Sequence, residues 1–360
     1  MDGREQEYFA RHPGDEELKR VYFLYEIQAL GKMYTTNFTE RLKVRLKSTF
    51  EKWNIPQSAE ISLLNVSENA TFRVDDIENN RCLILRVHRS GYHTAKEIRS
   101  ELAWILALRE EGVLHTPAPV PTTNGEILIT FSDGDADRHV VAFEFMQGDE
   151  PNVGEHLAEW FEKLGAITAR LHQHTKKWVL PNWFVRKTWN TETMVGPHAF
   201  WGDWRKAIHL KQEGEQIIAN AIKLIENRLK DYGQEPERYG LVHADLRLAN
   251  LLVDDERLGI IDFDDCGFCW FAYDFAAAIS FHETDPSIPL LQNAWVEGYR
   301  SVATLTEEDV NEIPTFIMLR RILLTAWLAS HSETPTGQNL GPTYTNDTVA
   351  LARGFLTQHS

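Results

Sequence analysis

Cysteine is scarce: Cys82, Cys266 and Cys269 are the only three in 360 residues. That is too few for a disulfide framework, and it points to a reducing compartment. No apolar run reaches the roughly 18 residues that cross a bilayer. The opening MDGREQEYFARHPGDEELKR lacks the apolar centre of a signal peptide. The expectation is a soluble, cytoplasmic protein with no membrane partner. Basic residues are outnumbered, with 37 Lys and Arg against 53 Asp and Glu, for a formal charge of −16. Nucleic acid is therefore not expected as a partner, because phosphate backbones are bound by clustered Lys and Arg. The acidic balance is compatible with a cationic substrate, although net charge speaks mainly to solubility and steering. Internal repeats, low-complexity linkers and a Walker A motif are also missing.

What is present is ordinary in amount, 43% hydrophobic and 25% charged, and the length suits two lobes with a sizeable core. Residues 1–57 read as a polar helical extension, with Leu42, Leu46, Thr49, Phe50 and Trp53 near one face and Pro56 at its end. Residues 58–149 read as a β-rich lobe. ISLLNV, ATFRVDD, RCLILRVH, GEILITF and HVVAFEFM are its strands, and TAKEIRSELAWILALREEG is a helix inserted after the third. Residues 150–360 turn helical after GDEP. LAEWFEKLGAITARLHQH and EQIIANAIKLIENRLKDYG are amphipathic, and TFIMLRRILLTAWLASH is apolar almost throughout and so expected to be buried. The pattern is α+β.

The chemistry concentrates in one stretch, LVHADLRLANLLVDDERLGIIDFDDCG, residues 241–267. Its apolar runs read as buried strands, and carboxylates beside a core are costly unless paired or bound to a cation. His243, Asp245 and Asn250 fit H-x-D-x-x-x-x-N, and Asp262 closes the strand that follows. This is the spacing of kinase-type phosphoryl transfer. A substrate hydroxyl needs a carboxylate to orient it and accept its proton, which Asp245 can do. Magnesium prefers hard oxygen ligands, which Asn250 and Asp262 can supply beside nucleotide phosphates.

These residues resemble the aminoglycoside phosphotransferase/choline kinase superfamily, and within it the bacterial homoserine kinase type II and stress response kinase branch. SENATFRV, LRVHRSGYHTAKEIRSELAWI, LVHADLRLAN and IIDFDDCGFCWFAYDFA carry the resemblance, in order, over residues 60–330. It implies a bilobal protein-kinase-like fold that uses ATP and Mg2+. Asp245 is then the catalytic base, Asn250 and Asp262 hold the metal, and His243 packs beneath the loop. Asp274 would hydrogen-bond the catalytic-loop backbone; the alternative is a helix-start carboxylate facing water. Relatives resemble H-G-D-L-H-x-x-N, whereas Ala244 and Arg247 stand here. Arg247 would stabilise charge on the transferring group, or else form a surface ion pair.

Kinases hold the α- and β-phosphates with a strand lysine paired to a helix glutamate. The third strand offers Arg86 instead, a planar fork rather than a point charge. Glu101 is the better partner because it shares a helical face with Ile98 and Ile105, and Glu97 is the runner-up. Ser67 to Thr71 is the expected phosphate-covering loop, with Ser67 or Asn69 assisting. The resemblance places adenine near the backbone of Glu144 to Met146.

Other signals carry less. Cys266 and Cys269 form one C-x-x-C, short of a zinc site and read as buried. His172 and His174 read as core support. Asp264 and Asp265 tune the metal site, bind a cationic substrate group or are solvated. FWGDWR walls a pocket or packs a helix. Eleven residues separate Asp262 from Asp274, too few for a protein-kinase activation segment. A small hydroxyl acceptor is thus expected, of amino alcohol, amino acid or aminoglycoside type, with a Ser/Thr protein kinase as the alternative. A hydrolase using metals at His243, Asp245, Asp262, Asp264 and His282 is a rival, as is a non-catalytic nucleotide binder.

Overall fold

The computed structural model describes residues 36–66, 69–134, 136–151, 156–331 and 335–359. Helix α1 (Thr36–Lys47) and a 3-10 turn at Phe50–Trp53 lead into an antiparallel sheet. Its strands are β1 (Glu60–Val66), β2 (Ala70–Asp76), β3 (Arg81–Val87), β4 (Ile129–Asp133) and β5 (Ala136–Glu144), in the spatial order β1-β2-β3-β5-β4. Helix α2 (Ala95–Glu110) is inserted after β3.

The period-two alternation of the strands divides them between two cores. Leu83, Leu85 and Val87 of β3, with Phe72, Val74, Val140 and Ala142, meet Leu42, Leu46, Phe50 and Trp53. The described part of the N-terminal extension thus covers one face of the sheet. Ile84, Val141 and Phe143 project to the other face and join Ile98, Leu102 and Ile105 of α2. Arg86 is on this second face by the same alternation. Thr94 starts α2 with a capping box: its hydroxyl accepts from Glu97 N at 3.2 Å, and Glu97 accepts from Thr94 N at 2.8 Å.

Beyond residue 156 the chain is mainly helical: α3 (Leu157–Lys177), α4 (Thr191–Met194), α5 (Gln212–Tyr232), α6 (Tyr273–Ala278), α7 (Ile288–Arg300), α8 (Glu307–Ser330) and α9 (Pro335–His359). Helices α3 and α7 cross with backbones almost touching. A Cβ on Gly165 would strike the Trp295 carbonyl, and one on Gly298 would strike that of Glu162. Helix α8 alone is long and apolar enough to cross a membrane, among the described residues, but 72% of its apolar window is buried inside the protein.

Two small sheets carry the rest. β6 (Lys187–Thr188), β10 (Gly267–Trp270) and β7 (Tyr239–Val242) form one, and the hairpin of β8 (Leu251–Asp254) and β9 (Arg257–Ile260) forms the other. The loop after β7, the turn after β9 and the N-terminus of α6 meet below the five-stranded sheet.

Candidate active site

The loop from β7 to β8 turns through Ala244 at φ +67°, the left-handed region that a side chain enters at a cost of about 1–2 kcal/mol. Asp274, at the start of α6, is fully buried and holds this turn. Its Oδ1 accepts from Ala244 N at 2.8 Å and its Oδ2 from His243 N at 3.3 Å. His172 of α3 donates to Asp274 Oδ2 at 3.0 Å and meets the Tyr299 hydroxyl at 3.1 Å, stacked on Phe271. Burial pushes His172 below its usual range, so a neutral ring fits this place.

His243 is buried against Phe263. Its Nδ1 accepts from Asp245 N at 3.2 Å, which assigns the proton to Nε2, donating to Ile261 O at 3.1 Å. Both ring nitrogens are engaged with backbone, and burial pushes its pKa down. The ring supports the loop and has no nitrogen left for a proton shuttle.

Asp245 receives three partners. Asn250 Nδ2 donates to its Oδ2 and to its backbone carbonyl, each at 2.8 Å. Arg247 Nε reaches Oδ2 at 3.3 Å. Arg320 of α8 donates to Oδ1 at 2.6 Å. Burial raises the Asp245 carboxyl, but Arg247, Arg320 and His243 outweigh it and hold it below the usual carboxylate range. With its nitrogen committed to Asp245, Asn250 keeps Oδ1 as the oxygen that could hold a cation.

The β8–β9 register pairs Leu251 with Ile260, and Ile261 N donates to Asn250 O at 3.0 Å. The pairing brings Asn250 and Asp262 to one end of the hairpin. Asp262 turns at φ +61° and keeps its side chain 41% exposed. Partial burial, together with Asp264 and Asp245, raises its carboxyl against the pull of Arg86. Arg86 crosses from the sheet to donate to Asp262 Oδ1 at 3.2 Å, and its other arm pairs with the fully buried Glu101. Glu97 is engaged in the Thr94 cap instead.

The family model described as "Phosphotransferase enzyme family" matches residues 61–307. The chain belongs to the phosphotransferase enzyme family. It is a kinase. A solved microcompartment-associated aminopropanol kinase is 40% identical, with a TM-score of 0.82 over 88% of this chain and 98% of that one. A homoserine kinase of Sinorhizobium medicae (strain WSM419) is 26% identical over 284 residues, 78% of this chain and 80% of that one. An amicoumacin kinase solved with AMP-PNP, Ca2+ and Ami shares the fold at 20% identity, with a TM-score of 0.72 over 88% of this chain and 96% of that one. The bilobal α+β architecture is that of these kinases.

Within this phosphotransferase, Arg320 is one residue that sequence reasoning missed. Besides Asp245 it donates to Ala244 O at 3.2 Å, the Tyr273 hydroxyl at 3.1 Å and Ser280 Oγ at 3.0 Å. Its neighbour Arg321 pairs with Glu283 at 2.6 Å and ties α8 to Thr348 and Tyr344 of α9. Two adjacent arginines in an apolar helix were the available signal, because buried charges need partners. Arg186 was also missed. It is buried and donates to Cys266 O at 2.6 Å, to Glu97 O at 3.0 Å and to Asp264 O. It thereby fastens the turn after Asp262 to α2.

The remaining candidates lie as follows. Asn69 is buried, and its Oδ1 accepts from Arg89 N at 3.2 Å; Ser67 lies outside the described residues. Glu144 ends β5 with an exposed side chain 3.9 Å from Arg109, and Met146 packs on Gly259 of β9. Asp264 is sealed between His88 and His93, 3.4 Å from each, and is held well below its usual range as those histidines and Arg86 overcome burial. Cys266 and Cys269 are buried and free, and burial raises both thiols. His174 meets Trp104 in the core. No group of three or more His, Cys, Asp or Glu is arranged to hold a metal among the described residues, so the hydrolase cluster around His243 and His282 does not form.

Proposed function

We propose that this kinase moves the γ-phosphoryl group of ATP to the hydroxyl of a small amino alcohol, with Mg2+ as the metal. The observation that carries the reading is Arg86. It is buried, braced by Glu101, and reaches Asp262 of the other lobe, yet its Nε has no hydrogen-bond partner. The arm that meets Asp262 lies beside a candidate metal carboxylate, where phosphate oxygens suit a guanidinium donor. Asn250 Oδ1 and the half-open Asp262 carboxylate are hard oxygen donors, and Mg2+ needs few of these beside phosphates and water. When bound, the cation neutralises charge on the phosphates.

The chain's own residues divide the rest. Asp245, ionised and oriented by Asn250 and Arg320, accepts the proton of the incoming hydroxyl. Arg247, beside it and partly exposed, stabilises charge on the moving phosphoryl group. Asn69 covers the phosphates, and the backbone of Glu144 to Met146 meets adenine. The acceptor class is supported by the aminopropanol kinase at 40% identity and by the homoserine kinase, both named for amine-bearing alcohols. Three unpaired cysteines suit the cytoplasm.

The test is an acceptor screen with ATP and Mg2+, scored by ADP release and product mass. The panel holds 1-amino-2-propanol, ethanolamine, homoserine, an aminoglycoside and a Ser/Thr peptide. Phosphorylation of the short amino alcohols at the highest kcat/KM is expected. Turnover confined to the peptide or the aminoglycoside overturns the acceptor class.

A further inference from the structure

Asp264 and Asp265 follow the candidate metal carboxylate on one 3-10 turn, yet their surroundings differ. Asp264 is buried between two histidines. Asp265 is half-buried, and its Oδ1 accepts from the Tyr92 hydroxyl at 2.6 Å. No partner for its Oδ2 is present among the described residues. Its backbone carbonyl is fixed by Trp189 Nε1 at 2.8 Å.

An aromatic wall links this carboxylate to the base. Trp201 Nε1 donates to the Tyr92 hydroxyl at 2.9 Å. The Trp201 ring lies under the Arg320 guanidinium at 5.1 Å, and Arg320 donates to Asp245 Oδ1 at 2.6 Å. Asp265 and Asp245 are therefore linked through Tyr92, Trp201 and Arg320. Burial, with Asp245 and Asp264, pushes the Asp265 carboxyl up to about 8. A cation in contact reverses such a shift by favouring the charged form.

An amino alcohol carries its hydroxyl and its ammonium on one short chain. With the hydroxyl at Asp245, the ammonium needs a second anion nearby that is neither tied up nor holding the metal. We propose that Asp265 is the acceptor-binding carboxylate, taking the substrate ammonium on Oδ2, with Tyr92 and Trp201 fixing its position. Three N–H donors of the ammonium make charge-assisted bonds, which are the strong kind. This assignment rests on the amino-alcohol reading above.

The experiment compares kcat/KM for 1-amino-2-propanol and for 1,2-propanediol, which replaces the amine by a hydroxyl. It is run on the wild type, on Asp265→Asn and on Tyr92→Phe. In Asp265→Asn the amine-over-diol ratio is expected to fall about tenfold to a hundredfold, from loss of a charge-assisted bond. The fall comes through KM for the amine. Tyr92→Phe keeps the carboxylate and is expected to lower the ratio several-fold; it serves as the arm to read should Asp265→Asn fold poorly. A wild type active on amino alcohols, with a ratio unchanged in these variants, overturns the subsite alone. A wild type that phosphorylates no amino alcohol overturns the acceptor class and the subsite with it.

Discussion

Arg86 of the sheet lobe and Arg320 of the helical lobe are both buried and both reach the site, and the two are held differently. Arg320, from the helical lobe, spends its donors on Asp245, Ala244 O, Tyr273 and Ser280. Arg86, from the sheet, pairs with Glu101 and touches Asp262, but its Nε and the Glu101 Oε2 are buried without partners. The saturated guanidinium is a fixture of the fold, whereas Arg86, on the reading proposed above, also serves the nucleotide. Arg86 and Glu101 pair with each other inside the sheet lobe, and the Arg86 arm at Asp262 is the one that reaches a partly exposed group. Arg320 itself is saturated before any ligand binds.

The comparison can be broken in several places. The largest effect is expected from Asp245→Asn, which removes the carboxylate that Arg320 serves. Turnover should fall by on the order of a hundredfold to ten-thousandfold while ATP binding survives. Near-normal single-turnover rates in that variant remove Asp245 as the base. Next comes Arg320→Ala, which leaves Asp245 and Tyr273 without their buried cation. A stability loss of about 3 kcal/mol is expected in denaturant titrations. A midpoint equal to that of wild type would show that Arg320 is no fixture.

Arg86→Ala probes the other side. It should raise KM for ATP by about tenfold or more while KM for the acceptor holds steady. A change confined to acceptor kinetics would detach Arg86 from the nucleotide. The smallest effect sharpens the choice between the two glutamates of α2. Thr94→Ala breaks the cap that engages Glu97 and is expected to cost about 1 kcal/mol. KM for ATP should not move, because Glu101 still braces Arg86.

Much of the fold was legible because its signals are local. Alternation in ATFRVDD and RCLILRVH marked β2 and β3 almost to the residue. The fourth strand starts later than GEILITF implies, at Ile129. Thr122 closes a turn on Glu126 and Gly125 sits at φ +81°, and together they consume the start of that run. The short parallel pairing of β6 with β10 carried no pattern to read, since two residues have no period. In the site, H-x-D-x-x-x-x-N and the following Asp were visible because one hairpin positions them. The reach of α8 was not visible. Its apolar run foretold burial but not that Arg320 would meet a carboxylate 75 residues away.

By itself, then, the chain's order of residues determined the five strands of the first lobe, helices α2, α3, α5 and α8, and the local loop of Asp245, Asn250 and Asp262. Those follow from backbone periodicity and short-range hydrogen bonding. Tertiary structure alone decided that His172 steadies Asp274, that Glu101 braces Arg86, and that Tyr92, Trp201 and Arg320 form a wall from Asp265 to Asp245. Periodicity tells which face of an element is buried. What that face meets is set by how distant elements pack.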